Sequence, residues 1–435
     1  MPLNRAYYAI KIAAIAKQLR HAGLIDHTLN LPIIYLPGIL GSQLYDRQKK
    51  ILIWGDYRSL IRQNHYQYTD SAAHIGVQQL HSFSVIPGLI ENLITAPLKQ
   101  LLEKALGYRD GIDLFFLAYD WRADHRHLAA QLDAKIHQVK QRYGEQQKIL
   151  LIAHSSSNCA IRYYLQQSAT QKNRDSIAKW YAFGPPWVGT FQSLALIQSG
   201  YYPAGKLFHG FSADDIASCP SAYQLLPSSP QVIDKKGNLV EEFDIYDEEC
   251  WKSFSLGPYR SPTANISAST EHLREELANN LMSAKAFSQC VSIRHAAEQS
   301  VSQTWFLSDN HQTVKCAVYD QGQLFLNAKA IQKHYPNLVE QALTKGDDHL
   351  PIDGLLKGWE HPILCETETP PLGENYVFIN QARTHRGLVG HIPNLRTLAF
   401  DIATLNQKAC WLRWLSVRTY LKYVLSELIY NFIRR

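Results

Sequence analysis

Seven cysteines lie scattered between Cys159 and Cys410, odd in number and with no CxxC pair among them. That spacing argues against both a disulfide framework and a zinc site, and it fits a reducing compartment. No apolar run reaches the length of a membrane span. The opening stretch MPLNRAYYAIKIAAIAKQLRHAG is broken by Lys11 and Lys17, and no small-residue cleavage pattern follows it. Residues 1–27 therefore read as an amphipathic surface helix and not as a signal peptide. A formal charge of +6 is mild for 435 residues, and no block of like charge or zinc-finger spacing accompanies it. Nucleic acid is excluded as the expected partner. Internal repeats are absent. These absences place the chain in the cytoplasm, with peripheral contact at the inner membrane face left open.

What is present is a globular composition, 46% hydrophobic and 19% charged. Nine Trp and 24 Tyr suit apolar ligands, although aromatic cores account for them equally well. Apolar runs at LPIIYL, LFFLAYDW, KILLIA and KWYAF read as buried strands, the first breaking at Pro37-Gly38. Between the second and third, Leu128, Leu132, Ile136 and Val139 recur at helical spacing and stop near Gly144. Strands alternating with helices predict an α/β fold, a mostly parallel sheet covered on both faces. From 208 to 312 the alternation is lost among serines and turn residues, which suggests an inserted cap. Strand signals return at TVKCAVYD and NYVFINQA. The expected organisation is a core with a nucleophile half (28–207), the cap (208–312), an acid and histidine half (313–407), and a basic aromatic helix (408–435).

The segment KILLIAHSSSNCAIRYYLQQ runs from a strand into a helix through Ser155, Ser156 and Ser157. In an α/β-hydrolase such a sharp turn carries the nucleophile, and the residues two before and two after it must be small. Ser155, between Ala153 and Ser157, meets that condition, whereas Ser156 is flanked by His154 and Asn158. Ser157, between Ser155 and Cys159, is sterically allowed but lies further from the strand end. The motif carries neither glycine of G-x-S-x-G, so a plain polar turn is the competing reading.

PIIYLPGILGSQL, ILIWGD, AYDWR, AFGPPWVGT, SCPSAYQLLP and KGDDHLP occur in that order along the chain. Together they resemble the lecithin:cholesterol acyltransferase family, which includes the lysosomal phospholipase A2 and the phospholipid:diacylglycerol acyltransferases. The resemblance implies an α/β-hydrolase with a cap. The fold's chain order of serine, acid, histidine then selects Asp347, in the loop KGDDHLP, and His385, after the strand NYVFINQA. Asp348, Asp353 and His391 are their rivals. By resemblance the oxyanion donors are the backbone N–H groups of Ile39 and Ser156. Asp120 and Arg122 read as a structural pair bracing a loop. Ala153, Ser157 and Asn158 depart from the family's elbow, and Asp348 and His349 from its acid loop.

In the tail, Trp414, Val417, Leu421, Leu425, Leu428 and Phe432 form one helical stripe accompanied by Arg and Lys. Such a stripe either lies in an anionic membrane interface or packs on the protein itself. The expected function is cleavage of lipid esters through an acyl-Ser155 intermediate, with no metal or cofactor, and with acyl transfer to an alcohol as a second outcome. The competing class is an inactive relative that binds lipid or acts as a scaffold.

Overall fold

The computed structural model describes residues 2–25, 30–56, 58–61, 66–69, 74–86, 90–93, 95–167, 170–202, 209–260, 268–382 and 384–410. Seven strands build the central sheet: β1 (Ile33–Leu36), β2 (Leu114–Phe116), β3 (Ile149–His154), β4 (Ile177–Phe183), β5 (Ser302–Ser308), β6 (Ile363–Cys365) and β7 (Tyr376–Asn380). Their order across the sheet is β6-β7-β5-β4-β3-β1-β2, and every pairing is parallel. Such a sheet needs cover on both faces. Along β3, Ile149, Leu151 and Ala153 enter one apolar core while Leu150 and Ile152 enter the other.

Six helices matter for the site and its support. They are α1 (Pro2–His21), α2 (His125–Tyr143), α3 (Ser157–Gln166), α4 (Phe191–Ser199), α5 (Ala268–Val291) and α6 (392–410). The Asp124 side chain caps α2 by accepting from the Arg126 N–H, and Gly144, at a φ of 103°, ends it. Between these signals Leu128, Leu132, Ile136 and Val139 form the buried stripe. α3 is buried on nearly every side, because the sheet lies under it and α5 lies over it. Arg162 of α3 is neutralised in this interior by Glu298 at 2.8 Å and stacks 3.5 Å from the Trp187 ring centre.

Three features differ from what the sequence pattern suggests. β5 lies in the middle of the sheet although its residues fall inside the stretch read as the cap. Its apolar run is only Trp305–Leu307, and its flanking polar residues are satisfied internally: Gln303 donates to the Glu298 carbonyl, Trp305 Nε1 donates to Gln303, and Ser308 donates to the Ala382 carbonyl. The insertion therefore lies between β4 and β5 and ends before Ser302. TVKCAVYD, in turn, is divided between two small sheets outside the central one, its first part pairing antiparallel with Leu343–Gly346. Finally, α6 starts at 392, well before Lys408, because Leu395, Leu398, Ala399 and Ile402 already give it a buried face. Residues 411–435, and with them most of the basic aromatic stretch, lie outside the described residues. Among the described residues no helix is long and apolar enough to cross a membrane.

Candidate active site

β3 ends at His154 and α3 begins at Ser157, so the chain reverses within two residues. Ser155 takes up that reversal with a φ of 58°, a left-handed conformation unusual for a residue with a side chain. Its N–H is held by the Phe183 carbonyl at 2.8 Å. Close packing explains the small neighbours. A Cβ on Gly38 would stand 2.8 Å from the Ser155 Cβ, so the Pro37-Gly38 turn passes only as glycine. The departures from the glycine-flanked motif are built in. Ser157 Oγ lies 2.9 Å from the carbonyls of both Leu36 and His154, joining β1 to the elbow. The Asn158 amide donates to the Ser155 carbonyl at 3.0 Å, and its oxygen accepts from Trp180 Nε1 at 3.0 Å.

His385 opens a short 3-10 helix (His385–Gly390) beyond β7, where the Thr384 hydroxyl accepts from the Gly387 N–H. His385 Nε2 lies 2.8 Å from Ser155 Oγ, and its Nδ1 lies 2.6 Å from Asp347 Oδ2. With the proton on Nδ1, the ring donates to Asp347 and accepts from the serine hydroxyl. The second carboxylate oxygen, Oδ1, accepts the N–H groups of His349 at 3.1 Å and Leu350 at 2.8 Å. Burial works against the charge on Asp347, but the facing imidazole and these donors outweigh it and hold the carboxyl below its usual range. Gly184, at a φ of 52°, leaves room for the ring, since a Cβ there would meet His385 Cε1 at 2.7 Å.

Two of the three rivals are occupied elsewhere. His391 pairs with Glu366 at 3.0 Å, and Asp353 accepts from the Thr344 hydroxyl at 2.7 Å on the surface. Asp348 turns the acid loop with a φ of 80°. Asp120 and Arg122 pair at 2.6 Å, and Arg122 also donates to the Tyr66 carbonyl, so both brace a loop.

Two further histidines sandwich His385. The His154 ring centre lies 5.1 Å away on one side and that of His349 lies 5.0 Å away on the other. Burial first, and then the neighbouring His385, lower each of them to about 3, so both stay neutral. The sequence marks His349 only as an unexpected residue in the acid loop, and nothing in it places His154 against His385.

The three groups open into a cavity of about 360 Å³. Leu40, Trp121, Leu196, Ile216 and Leu225 supply much of its apolar wall, the last three from the insertion. At the reacting end, Ile39 lines the cavity and Ser156 caps the start of α3. They flank Ser155 from the β1 loop and from the start of α3. The arrangement is chemically suited to nucleophilic attack with proton transfer to an imidazole.

The parallel sheet, the strained strand-to-helix turn and the chain order serine, acid, histidine define an α/β-hydrolase. The family model described as Lecithin:cholesterol acyltransferase matches residues 89–344, more than half of the chain, and the chain belongs to this family. The matched span contains Ser155 and stops just before Asp347. Two curated relatives are the "Lysosomal phospholipase A and acyltransferase" of Bos taurus, 32% identical, and that of Rattus norvegicus, 30% identical. Both alignments run over 97 residues, 22% of this chain, so the chain spans only 23% of the length of each of these relatives. The crystal structure of the Tle4–Tli4 complex matches with a TM-score of 0.50, covering 87% of this chain and 98% of that one at 13% identity. That likeness concerns the fold alone.

Proposed function

We propose that this protein cleaves lipid esters through an acyl-Ser155 intermediate. The observation that carries the reading is the continuous contact from Ser155 Oγ to His385 Nε2 at 2.8 Å and from His385 Nδ1 to Asp347 at 2.6 Å. Ser155 Oγ attacks the ester carbonyl while Nε2 takes its proton, and the ionised Asp347 stabilises the imidazolium that forms. The carbonyl oxygen becomes an oxyanion facing the Ile39 and Ser156 N–H groups. His385 then gives the proton to the departing alkoxide, leaving the acyl group on Ser155. Water, or an alcohol bound in its place, loses a proton to His385 and releases the acyl group.

A lipid substrate is supported by the apolar cavity, by family membership and by the phospholipase and acyltransferase names of the relatives. No metal or cofactor enters this scheme. Seven scattered cysteines with no CxxC pair among them support a reducing, cytoplasmic location. A fluorophosphonate probe tests the nucleophile. It should label the parent protein and Ser156→Ala but not Ser155→Ala, and His385→Ala should lose about 10⁴-fold in turnover. Labelling that persists in Ser155→Ala would overturn the assignment. A folded protein that neither labels nor turns over several ester classes would instead be the inactive, lipid-binding relative.

A further inference from the structure

Helix α1 is docked by one stripe only. Ile12, Ile15, Ala16 and Leu19 are buried against the sheet-covering core, with Leu98, Leu101 and Ile402 among their neighbours in that cluster. At 100° per residue, Ile10 points directly away from this stripe. Ile10 is 69% exposed and Tyr7 48% exposed, and Ala6 and Ala14 complete an apolar line between them. Cations lie on and beside that line: Lys11 lies 5.7 Å from the Tyr7 ring centre on one edge, Arg20 lies along the other, and Lys17 falls on the line itself, seven residues after Ile10. The helix contains four Lys and Arg and no Asp or Glu, against a net charge of +6 for the entire chain.

The direction of α1 places this face. At its C-terminal end, the Gly23 carbonyl accepts from Gln407 Nε2, and Gln407 adjoins Asn406, which holds the Leu31 N–H just before β1 begins. At its N-terminal end, Tyr8 reaches Gly390, so closely that a Cβ there would stand 3.1 Å from the tyrosine hydroxyl. Gly390 closes the short helix that starts with His385. Tyr7, Ile10 and Lys11 therefore lie toward the edge of the sheet where the strands end and Ser155 sits. At the cavity mouth on that edge, exposed Arg386 stacks over Tyr201 at 5.1 Å.

We infer that the outer face of α1 docks the protein on an anionic lipid surface. An apolar line bordered by cations, on a helix already fixed by its opposite face, matches the partition of interfacial helices into the boundary between headgroups and acyl chains. The absence of any acidic residue on α1 favours a negatively charged surface over a neutral one. This inference concerns binding and holds whether or not Ser155 reacts.

The experiment is sedimentation of the full chain, carrying Ser155→Ala so that the vesicles stay intact. Vesicles of phosphatidylglycerol and phosphatidylcholine in equal parts are compared with pure phosphatidylcholine. Each cation at an anionic interface is worth about fivefold in partition. The parent should therefore prefer the anionic vesicles by more than about tenfold. The triple variant Ile10→Ser, Lys11→Gln, Lys17→Gln should lose that preference, while removal of residues 411–435 should leave most of it. In the Ser155 background, the same triple variant should cleave a short soluble ester at the parental rate, which shows an intact fold. Parental binding by the triple variant, or binding abolished only by removal of 411–435, would overturn the inference. A parent chain that ignores both kinds of vesicle would overturn it too, and would assign the exposed face to a protein partner.

Discussion

Asn158 joins two strands and the elbow between strand and helix through a single amide. Its nitrogen reaches the carbonyls of Ser155 at 3.0 Å, Phe183 at 3.3 Å and Ala153 at 3.4 Å, while its oxygen takes the Trp180 indole N–H. Asn158→Ala leaves that buried indole without its acceptor and removes the side-chain donor shared by these carbonyls. Denaturant unfolding should report a loss of about 2–4 kcal/mol, from one lost network and its desolvated groups. An unchanged midpoint would mean that the amide is not holding the turn. The stacked histidines make a second prediction at this scale. His154 and His349 stay neutral down to about pH 3 in the native protein, whereas in the unfolded chain both take up protons near the ordinary value of about 6.5. The native state thus binds fewer protons between those limits, so stability is full above about pH 6.5 and falls as the pH drops below it. His349→Thr should flatten the decline by up to about 1 kcal/mol per pH unit, less than His154 contributes because His349 partly faces the cavity. Urea midpoints measured from about pH 7 to about pH 5 check this, and parallel slopes for parent and variant would refute it. The place of Ser155 at the strained turn was legible from sequence because sterics act on its immediate neighbours. The imidazole sandwich was not, since three residues from positions 154, 349 and 385 meet only through the folded sheet.

Among the elements, α6 is tied to the sheet by charge as well as by its apolar face. Lys179 of β4 and Asp401 of α6 pair at 2.8 Å, both fully buried, and the Tyr181 hydroxyl donates to the same carboxylate at 2.7 Å. Burial pulls the Lys179 ammonium below its ordinary range, and Asp401 acts to restore it. Removing one partner strands the other charge in the interior. Asp401→Ala should therefore cost about 3–5 kcal/mol, while the double substitution Lys179→Met, Asp401→Leu should recover most of that loss. A double variant as unstable as the single one would show that packing, not charge, holds α6. Periodic apolar spacing made α2 and the first four strands readable. β5 escaped because a central strand can carry Gln303 and Ser308 when neighbouring groups satisfy their hydrogen bonds, which patterning alone does not reveal.

At the scale of the whole molecule, the insertion between β4 and β5 would decide, under the proposed chemistry, what an acyl group on Ser155 meets. Leu196, Ile216 and Leu225 place apolar surface over Ser155, and such cover favours a lipid alcohol over water only where an alcohol is bound. Labelled phospholipid should yield free fatty acid alone at first, with acylated acceptor appearing as diacylglycerol or a long-chain alcohol is added. Fatty acid as the sole product at saturating acceptor would exclude transfer to the acceptors tried. The assembly of the triad also has a consequence in time. Ser155 and His385 are 230 residues apart in the chain. At ribosomal rates of about 5–20 residues per second, roughly 10 to 50 seconds of synthesis separate the serine from its base. During that interval the nascent chain has its hydroxyl but nothing to remove the proton, and a chain released early never acquires it. Under the proposed chemistry, activity therefore arrives late and all at once, only after the segment that carries His385 has been made.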